Sequence, residues 1–454
     1  LQDTEFKFGG ELRERYEDDI HGNARSTDAS GKVVNNSQIK HRLKIVMDVR
    51  KGENLQAGVT LLNVAVWGER PATGDSSSTD PESSQIPGSR SGTGTSDNLI
   101  LVSRAWGWWK ATDGLAFKFG RMGVEFADGS VFSENDWEQV PVSQDGVLAL
   151  WDSGIGHFTF FGIKNDTYSE YSDGSTAQGI DEYDAQKVTY GLNLDVRGLP
   201  AFLKMVSLHV MQIFQDEVSI PVAYQATDAT RKENNQRLGA TVGGDVGPFL
   251  YKFSGAYSIG KEKGALVSSG GAYNRTINAW MTDASLGYAL TNFWGLKLVT
   301  GAHIDSGDRD PTDSRDQHYQ PLYYDRHFNG GLMDVLRWGN LTYYEAGVTV
   351  APRDDIEAGL LYHWFEKTTS QDKTVYGQRY QLEGLGKPSN GATSYAKTLG
   401  GEVDLYANKS FEADAFKVGA RLGAFVPGSA IQNSTTPGSD KTIYELFAQA
   451  SFIF

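Results

Sequence analysis

The chain has 454 residues, of which 52 are Gly and none is Cys; 12% are aromatic, 39% are hydrophobic, and the formal charge is −15 at pH 7. These figures exclude structural disulfides and thiolate metal sites, intrinsic disorder, which goes with few aromatics, and general affinity for nucleic acid, which needs a basic face. No stretch approaches the roughly 20 apolar residues of a spanning helix, whereas a polar, acidic, Gly-rich and aromatic-rich chain suits a barrel whose strands need apolar residues only at every second position.

Leu1-Gln2-Asp3-Thr4 carries no secretory signal, so a mature chain is expected, its export signal already removed. Strand-like alternation begins at once. Between Thr4 and Tyr16, Phe6, Phe8 and Leu12 share one parity, while Glu5, Lys7, Glu11, Arg13 and Arg15 share the other. That is a period of two, not 3.6. The next segment repeats it, with Ile39, Leu43, Ile45, Met47 and Val49 against Lys40, Arg42, Lys44, Asp48 and Arg50.

Continued along the chain, this pattern predicts about eighteen strands, at 4–16, 38–50, 55–68, 98–111, 115–126, 145–152, 157–165, 186–197, 205–215, 236–246, 250–260, 276–290, 296–305, 341–351, 356–366, 398–409, 416–426 and 443–454. Sixteen would follow if the short 145–152 segment or a loop hairpin did not cross the membrane. Every even-numbered connection is short, such as Gly247-Pro248-Phe249 and Pro352-Arg353-Asp354-Asp355, and every odd-numbered one is long, such as 69–97, 306–340 and 367–397. Short turns at one end and long loops at the other are the rhythm of a transmembrane antiparallel β-barrel in a bacterial outer membrane, with both termini on the periplasmic side. The chain is therefore expected to be one all-β domain, 1–454, whose environment is the lipid bilayer and lipopolysaccharide.

Trp109, Tyr190, Phe214, Tyr257, Tyr288, Trp364 and Tyr444 fall on the apolar parity near strand ends, where rings sit at headgroup depth. The last segment alternates through Tyr444, Leu446, Ala448, Ala450, Phe452 and Phe454. It resembles the assembly signal of outer-membrane proteins, which implies recognition by the barrel-assembly machinery.

More particular residues carry a second resemblance. Phe119-Gly120-Arg121-Met122-Gly123, the run from Ser306 to Asp313, Tyr319-Gln320-Pro321-Leu322-Tyr323-Tyr324, His327-Phe328-Asn329-Gly330 and Met333-Asp334 are similar to segments of the alginate-export porin family of Gram-negative bacteria. The resemblance implies an eighteen-stranded monomeric barrel with a gated, anion-tolerant channel. Two departures argue against alginate itself as the cargo. Met122 stands where the family's usual Gly-Arg-Gln has Gln, and the connection from Ser410 to Ala415 is too short for the periplasmic plug of the alginate exporter proper.

The inward parity of the first five strands gathers Lys7, Arg13, Arg15, Lys40, Arg42, Lys44, Arg50, Arg104, Lys110 and Lys118 against Glu5, Glu11 and Asp48, and Arg121 is assigned to the same lining. Later strands oppose it with Glu357, Glu402 and Asp404, together with Asp245, Asp283, Asp305 and Glu345, relieved by Lys187, Arg197, Lys252, Lys297, Lys417 and Arg421. Walls of opposite sign beside low-dielectric lipid would set up a transverse field and draw anions to the basic side. The bland reading of each residue is solvation of the inner face and cross-strand pairing. Segments 122–145 and 306–340 are too apolar to stand free in water and are expected to fold inward, whereas 73–97, rich in Ser, Gly, Thr and Pro, reads as an exposed loop.

No cofactor is expected. A calcium ion bound in the loops would find oxygens at Asp308, Asp310 and Asp313 or at Asp128, Glu134 and Asp136, but neither set matches an EF-hand, and solvated charge is the favoured reading. No Gly-x-Ser-x-Gly elbow, zinc helix or phosphate loop occurs, and His318 and His327 beside Asp316 and Asp325 are the one acid-base constellation, so no enzyme is expected. The function that follows is a passive diffusion channel for small polar or anionic solutes, with oligosaccharides or acidic sugars as candidates. The alternatives are a sleeve or scaffold around a partner protein and an outer-membrane barrel hydrolase.

Overall fold

Alternation of apolar and polar side chains, with no long hydrophobic run, gives a sheet with one greasy and one polar face, and such a sheet is stable in a bilayer only when closed. The computed structural model describes residues 3–20, 36–67, 100–164, 187–220, 229–265, 272–290, 292–310, 313–372, 396–432 and 441–454. Among them run β1 (Thr4–Ile20), β2 (Asn36–Lys51), β3 (Leu55–Val66), β4 (Ile100–Thr112), β5 (Leu115–Met122), β6 (Gln144–Asp152), β7 (Gly156–Lys164), β8 (Lys187–Val196), β9 (Leu203–Ile220) and β10 (Ala229–Val246). They are followed by β11 (Phe249–Ala265), β12 (Ala272–Leu290), β13 (Leu296–Asp305), β14 (Arg315–Asp316), β15 (Leu341–Arg353), β16 (Ile356–Lys367), β17 (Thr398–Phe411), β18 (Phe416–Pro427) and β19 (Ile443–Ile453).

The two-residue β14 is a loop strand lying parallel to β12. The other eighteen form an antiparallel ring, closed where β1 pairs with β2 on one side and β19 on the other. The expected count is met. The loop 73–97 lies outside the described residues. Strands β9 to β12 run further than the alternation predicts, beginning or ending in Lys232-Glu233-Asn234 and Lys261-Glu262-Lys263. Beyond the bilayer an outward residue need not be apolar, so the period of two disappears although the hydrogen-bond ladder continues.

Burial is inverted relative to a water-soluble protein. Phe8, Ile100 and Leu286 are 72%, 70% and 60% exposed, while Arg42, Asn193 and Asp404 are fully buried. Hydrocarbon takes the first set and the interior the second. Trp109, Tyr190, Tyr257, Trp364 and Tyr444 are exposed on the outer face. Phe214 and Tyr288 are half-buried there, the latter edge-on to Phe249.

Candidate functional site

Two segments that leave the wall and return to it carry the candidate site. The first joins β5 to β6. Val124, Phe126, Val131 and Phe132 are buried, and the Phe132 ring lies 5.8 Å from Phe161 of β7 and 5.5 Å from Tyr323 of the second segment. Ser130 reaches Thr241 of β10 at 3.5 Å, and the stretch 136–139 reaches β1 and β2. A segment between neighbouring strands that touches strands so far around the ring runs across it.

Its contacts with β1 and β2 are made by bases. Arg13 donates to the carbonyls of Asp136 (3.0 Å) and Glu138 (2.7 Å), Arg15 to that of Trp137 (2.6 Å), and Arg42 to those of Asp136 and Glu138 (both 3.0 Å). Arg13 stands directly opposite Arg42 in the ladder, and Arg15 opposite Lys40. Like charges so placed repel. Glu11 on Arg42, Glu17 on Lys40 and the Asp136 carboxylate on Arg42 and Lys44 offset part of that repulsion. Burial would raise the Asp136 pKa, but Arg42, Lys44 and Arg13 outweigh it and hold the group below its ordinary value. Arg104 pairs with Glu134 at 2.8 Å.

The second segment joins β13 to β15, and here acids make the contacts. Asp305 accepts from the backbone N–H of Gly339 and of Leu341, both at 2.7 Å. Glu402 accepts from Met333 at 3.0 Å, and Asp404 from Leu332 at 3.5 Å. Gly331, at φ +97°, lies so close that a Cβ there would collide with the Glu402 carboxylate. Met333, Val335, Leu336 and Trp338 pack on Tyr343, Phe365, Leu399 and Phe425 of the wall. The Trp338 ring is stacked between His303 at 4.0 Å and Tyr324 at 4.2 Å.

The two segments are joined to each other. Ser133 N donates to Tyr323 O at 2.6 Å, and Asp325 N to Gly129 O at 2.7 Å. Trp137 stacks on His327 at 3.7 Å, lies under the Arg15 guanidinium at 4.0 Å and donates to Asp334 at 3.1 Å. Burial, then the charges of Arg421 and Arg15, holds the His327 pKa well below its ordinary value. The neutral ring then donates from Nδ1 to Asp334 (3.0 Å) and accepts at Nε2 from Arg421 (3.3 Å). For His318, burial would lower the pKa, but the hydrogen bond and charge of Asp372, 2.7 Å away, raise it to about 9.

Residues 4–445 match the family described as Alginate export. The chain belongs to the alginate-export family. It is a closed eighteen-stranded outer-membrane barrel of porin type. Its fold is similar to that of Pseudomonas aeruginosa OccK9 (OpdG), with a TM-score of 0.60 at 10% identity over 99% of this chain and 98% of that one. Pseudomonas aeruginosa OpdK, solved with vanillate, gives 0.59 at 9% identity over 99% and 98%, and Acinetobacter baumannii OccAB2 gives 0.58 at 11% over 99% and 98%. No curated protein matches the sequence. This alginate-export family and these neighbours are channels, not enzymes.

Within this alginate-export barrel, Arg13, Arg15, Arg42, Lys44 and Arg104 converge on residues 134–139, and Lys40 joins them through Glu17, which also faces Arg15 at 3.7 Å. Lys118 lies 4.7 Å over the Trp106 ring on the same wall. Lys7, Arg50 and Lys110 are apart from this group, at the short-turn end, beside Glu5, the Gly52 carbonyl and Asp113. Glu357 lies at that end too, accepting from the Tyr406 hydroxyl at 2.8 Å. Glu402 and Asp404 hold the second segment.

Arg121 stands elsewhere. It shares the outward parity of Phe117 and Phe119 and pairs with Asp145 at 2.7 Å. Lys118 and Arg121 differ in parity, so one strand cannot turn both inward. The histidine constellation also differs from expectation. Asp316 and Asp325 accept from the backbone N–H of His318 and His327, while the rings bond Asp372 and Asp334.

Of the oxygens weighed for calcium, Asp308 is engaged by Arg275 and the Asp310 N–H, and Asp313 by the Arg315 N–H. Burial and neighbouring Asp316 raise the Asp308 pKa to about 6. In the other set Glu134 and Asp136 pair with bases, and the Asp128 side chain lies outside the described residues. Arg421, expected among the bases that relieve the acidic wall, makes a two-pronged contact with Glu445. Residues not singled out from sequence include Arg237, which donates to Gln320 O, and Glu445. Inward parity was their only available signal.

Proposed function

We propose that this barrel is a passive channel for small polar and anionic solutes, acidic sugars and oligosaccharides among the candidates, and that the two cross-ring segments form its constriction. The observation that carries the reading is the segregation of charge at that constriction. Arg13, Arg15, Lys40, Arg42, Lys44, Arg104 and Lys118 stand on β1, β2, β4 and β5, while Asp283, Asp305, Glu345, Glu402 and Asp404 stand on β12, β13, β15 and β17. A field between such walls draws the acidic end of a solute to the basic side and orients its dipole. An interior crossed by the chain's own segments favours a channel over a sleeve around a partner. The buried histidine-carboxylate pairs are read as anchors of the second segment rather than as a hydrolytic centre.

The test is the reversal potential in planar bilayers under a salt gradient. Arg104→Glu with Lys118→Glu should move it toward cation preference, and glucuronate should reduce wild-type current more than glucose does. An unmoved potential would discard the basic wall as the selective element.

A further inference from the structure

The acidic wall holds a group of side chains whose convergence the anchoring of the second segment explains only in part. His363 of β16 and Glu402 and Asp404 of β17 are each 2% exposed or less. Each offers a ligand atom within 4.8 Å of the other two, the one such set of three among the described residues. Glu402 Oε1 and Asp404 Oδ2 accept backbone N–H groups, but Glu402 Oε2, Asp404 Oδ1 and His363 Nδ1 are buried without a hydrogen-bond partner.

The histidine's tautomer sharpens the case. His363 Nε2 lies 2.9 Å from Glu345 Oε2, and a carboxylate can only accept, so Nε2 carries the hydrogen. In the neutral ring, the form that can ligate a metal, Nδ1 then presents its lone pair toward Asp404 Oδ2 at 3.8 Å, too far for a hydrogen bond. With the ring neutral and both acids ionised, a lone pair and two carboxylates face one another without a donor, in a place where unpaired charge is costly, so either a proton or a cation must lie among them. The nearby base, Arg421, is gripped by both oxygens of Glu445.

We propose that His363, Glu402 and Asp404 bind a divalent first-row transition metal ion, zinc being the probe of choice. One imidazole and two carboxylates suit such an ion, whereas calcium prefers an all-oxygen set. Glu345 supplies the carboxylate that commonly orients a metal-bound histidine from behind. Because Glu402 and Asp404 also hold the N–H groups of Met333 and Leu332, the ion would clasp the second segment to β16 and β17.

Folded protein, stripped with EDTA and dialysed, is titrated calorimetrically with zinc chloride, manganese chloride and calcium chloride, and retained metal is counted after desalting. One zinc per chain is expected. His363→Gln and Glu402→Gln should each weaken binding about tenfold or more, with folding checked by heat-modifiable gel mobility. His157→Gln, at the short-turn end of β7 beside Asp152, should bind as wild type. Wild-type protein that takes up neither zinc nor manganese overturns the site and leaves a proton shared by the two carboxylates, and this result needs no variant to fold. Preference for calcium, or full zinc affinity in a folded His363→Gln, overturns it too.

Discussion

The two segments that cross this barrel are held by opposite chemistry. On the side of β1 and β2, arginines donate to the backbone carbonyls of 136–138; on the side of β13 and β17, carboxylates accept from the backbone N–H groups of 332–341. Every residue other than proline offers one backbone donor and one acceptor, so a wall of either sign can grip the same polymer by choosing which of the two it uses. The choice has an electrostatic consequence. A backbone group satisfies the hydrogen bond of a charged side chain without cancelling its charge. Each wall therefore anchors its segment through bonds that leave its charge in place, although Glu11, Glu17, Glu134 and Asp136 offset part of the basic side; the field proposed across the constriction rests on what remains.

The largest expected effect comes from cutting the basic grip. In Arg13→Ala with Arg42→Ala, the carbonyls at 136 and 138 lose donors, at about 1–3 kcal/mol for each buried group left unpaired. Single-channel conductance should rise several-fold and protease should cleave within 123–143. Unchanged conductance would mean that this segment does not narrow the path.

A pH series separates the two anchors. The folded His318 pKa, about 9, lies above the unfolded value near 6.5, so its contribution, on the order of 3 kcal/mol, is complete below that lower value and is lost as pH rises through about 9. Asp136 is shifted down, so its contribution is present above the ordinary carboxylate value and is lost as pH falls through the folded one. Hydrogen-exchange protection, corrected for intrinsic rate, should therefore fade first in 306–340 on the alkaline side and first in 123–143 on the acid side. Loss in the reverse order would break the comparison.

Asp305→Asn tests a single acidic anchor. The amide oxygen can keep one of the two N–H groups but its nitrogen repels the other, which costs about 1–3 kcal/mol and should lower the thermal midpoint in detergent. The smallest effect is expected where the segments meet. Trp137→Leu removes the stack on His327, the ring beneath Arg15 and the hydrogen bond to Asp334, together worth about 1–2 kcal/mol, and should appear as more frequent current flicker at unchanged mean conductance.

Much of the wall was legible from alternation, because lipid and water impose opposite demands on successive side chains. The errors have local causes. At β4 the ladder slips between Thr60 and Leu61, and one extra residue lets Val102 and Ala105 both face outward while Arg104 turns in. Charge alone suggests an inward Arg121, although its parity with Phe119 says otherwise. His318 and His327 were matched to acids two positions away, but a side chain can reach whatever the fold brings near, and the nearest carboxylates came from 54 and 7 residues along the chain.

The sequence alone determined that the chain crosses a membrane as about eighteen strands and which ends carry short turns, since both follow from a period of two repeated along the chain. Tertiary structure alone decided that Arg13 grips a carbonyl 123 residues away, and that His363, Glu402 and Asp404 converge. Closing the ring and threading it with its own segments sets those distances, and no local pattern encodes them.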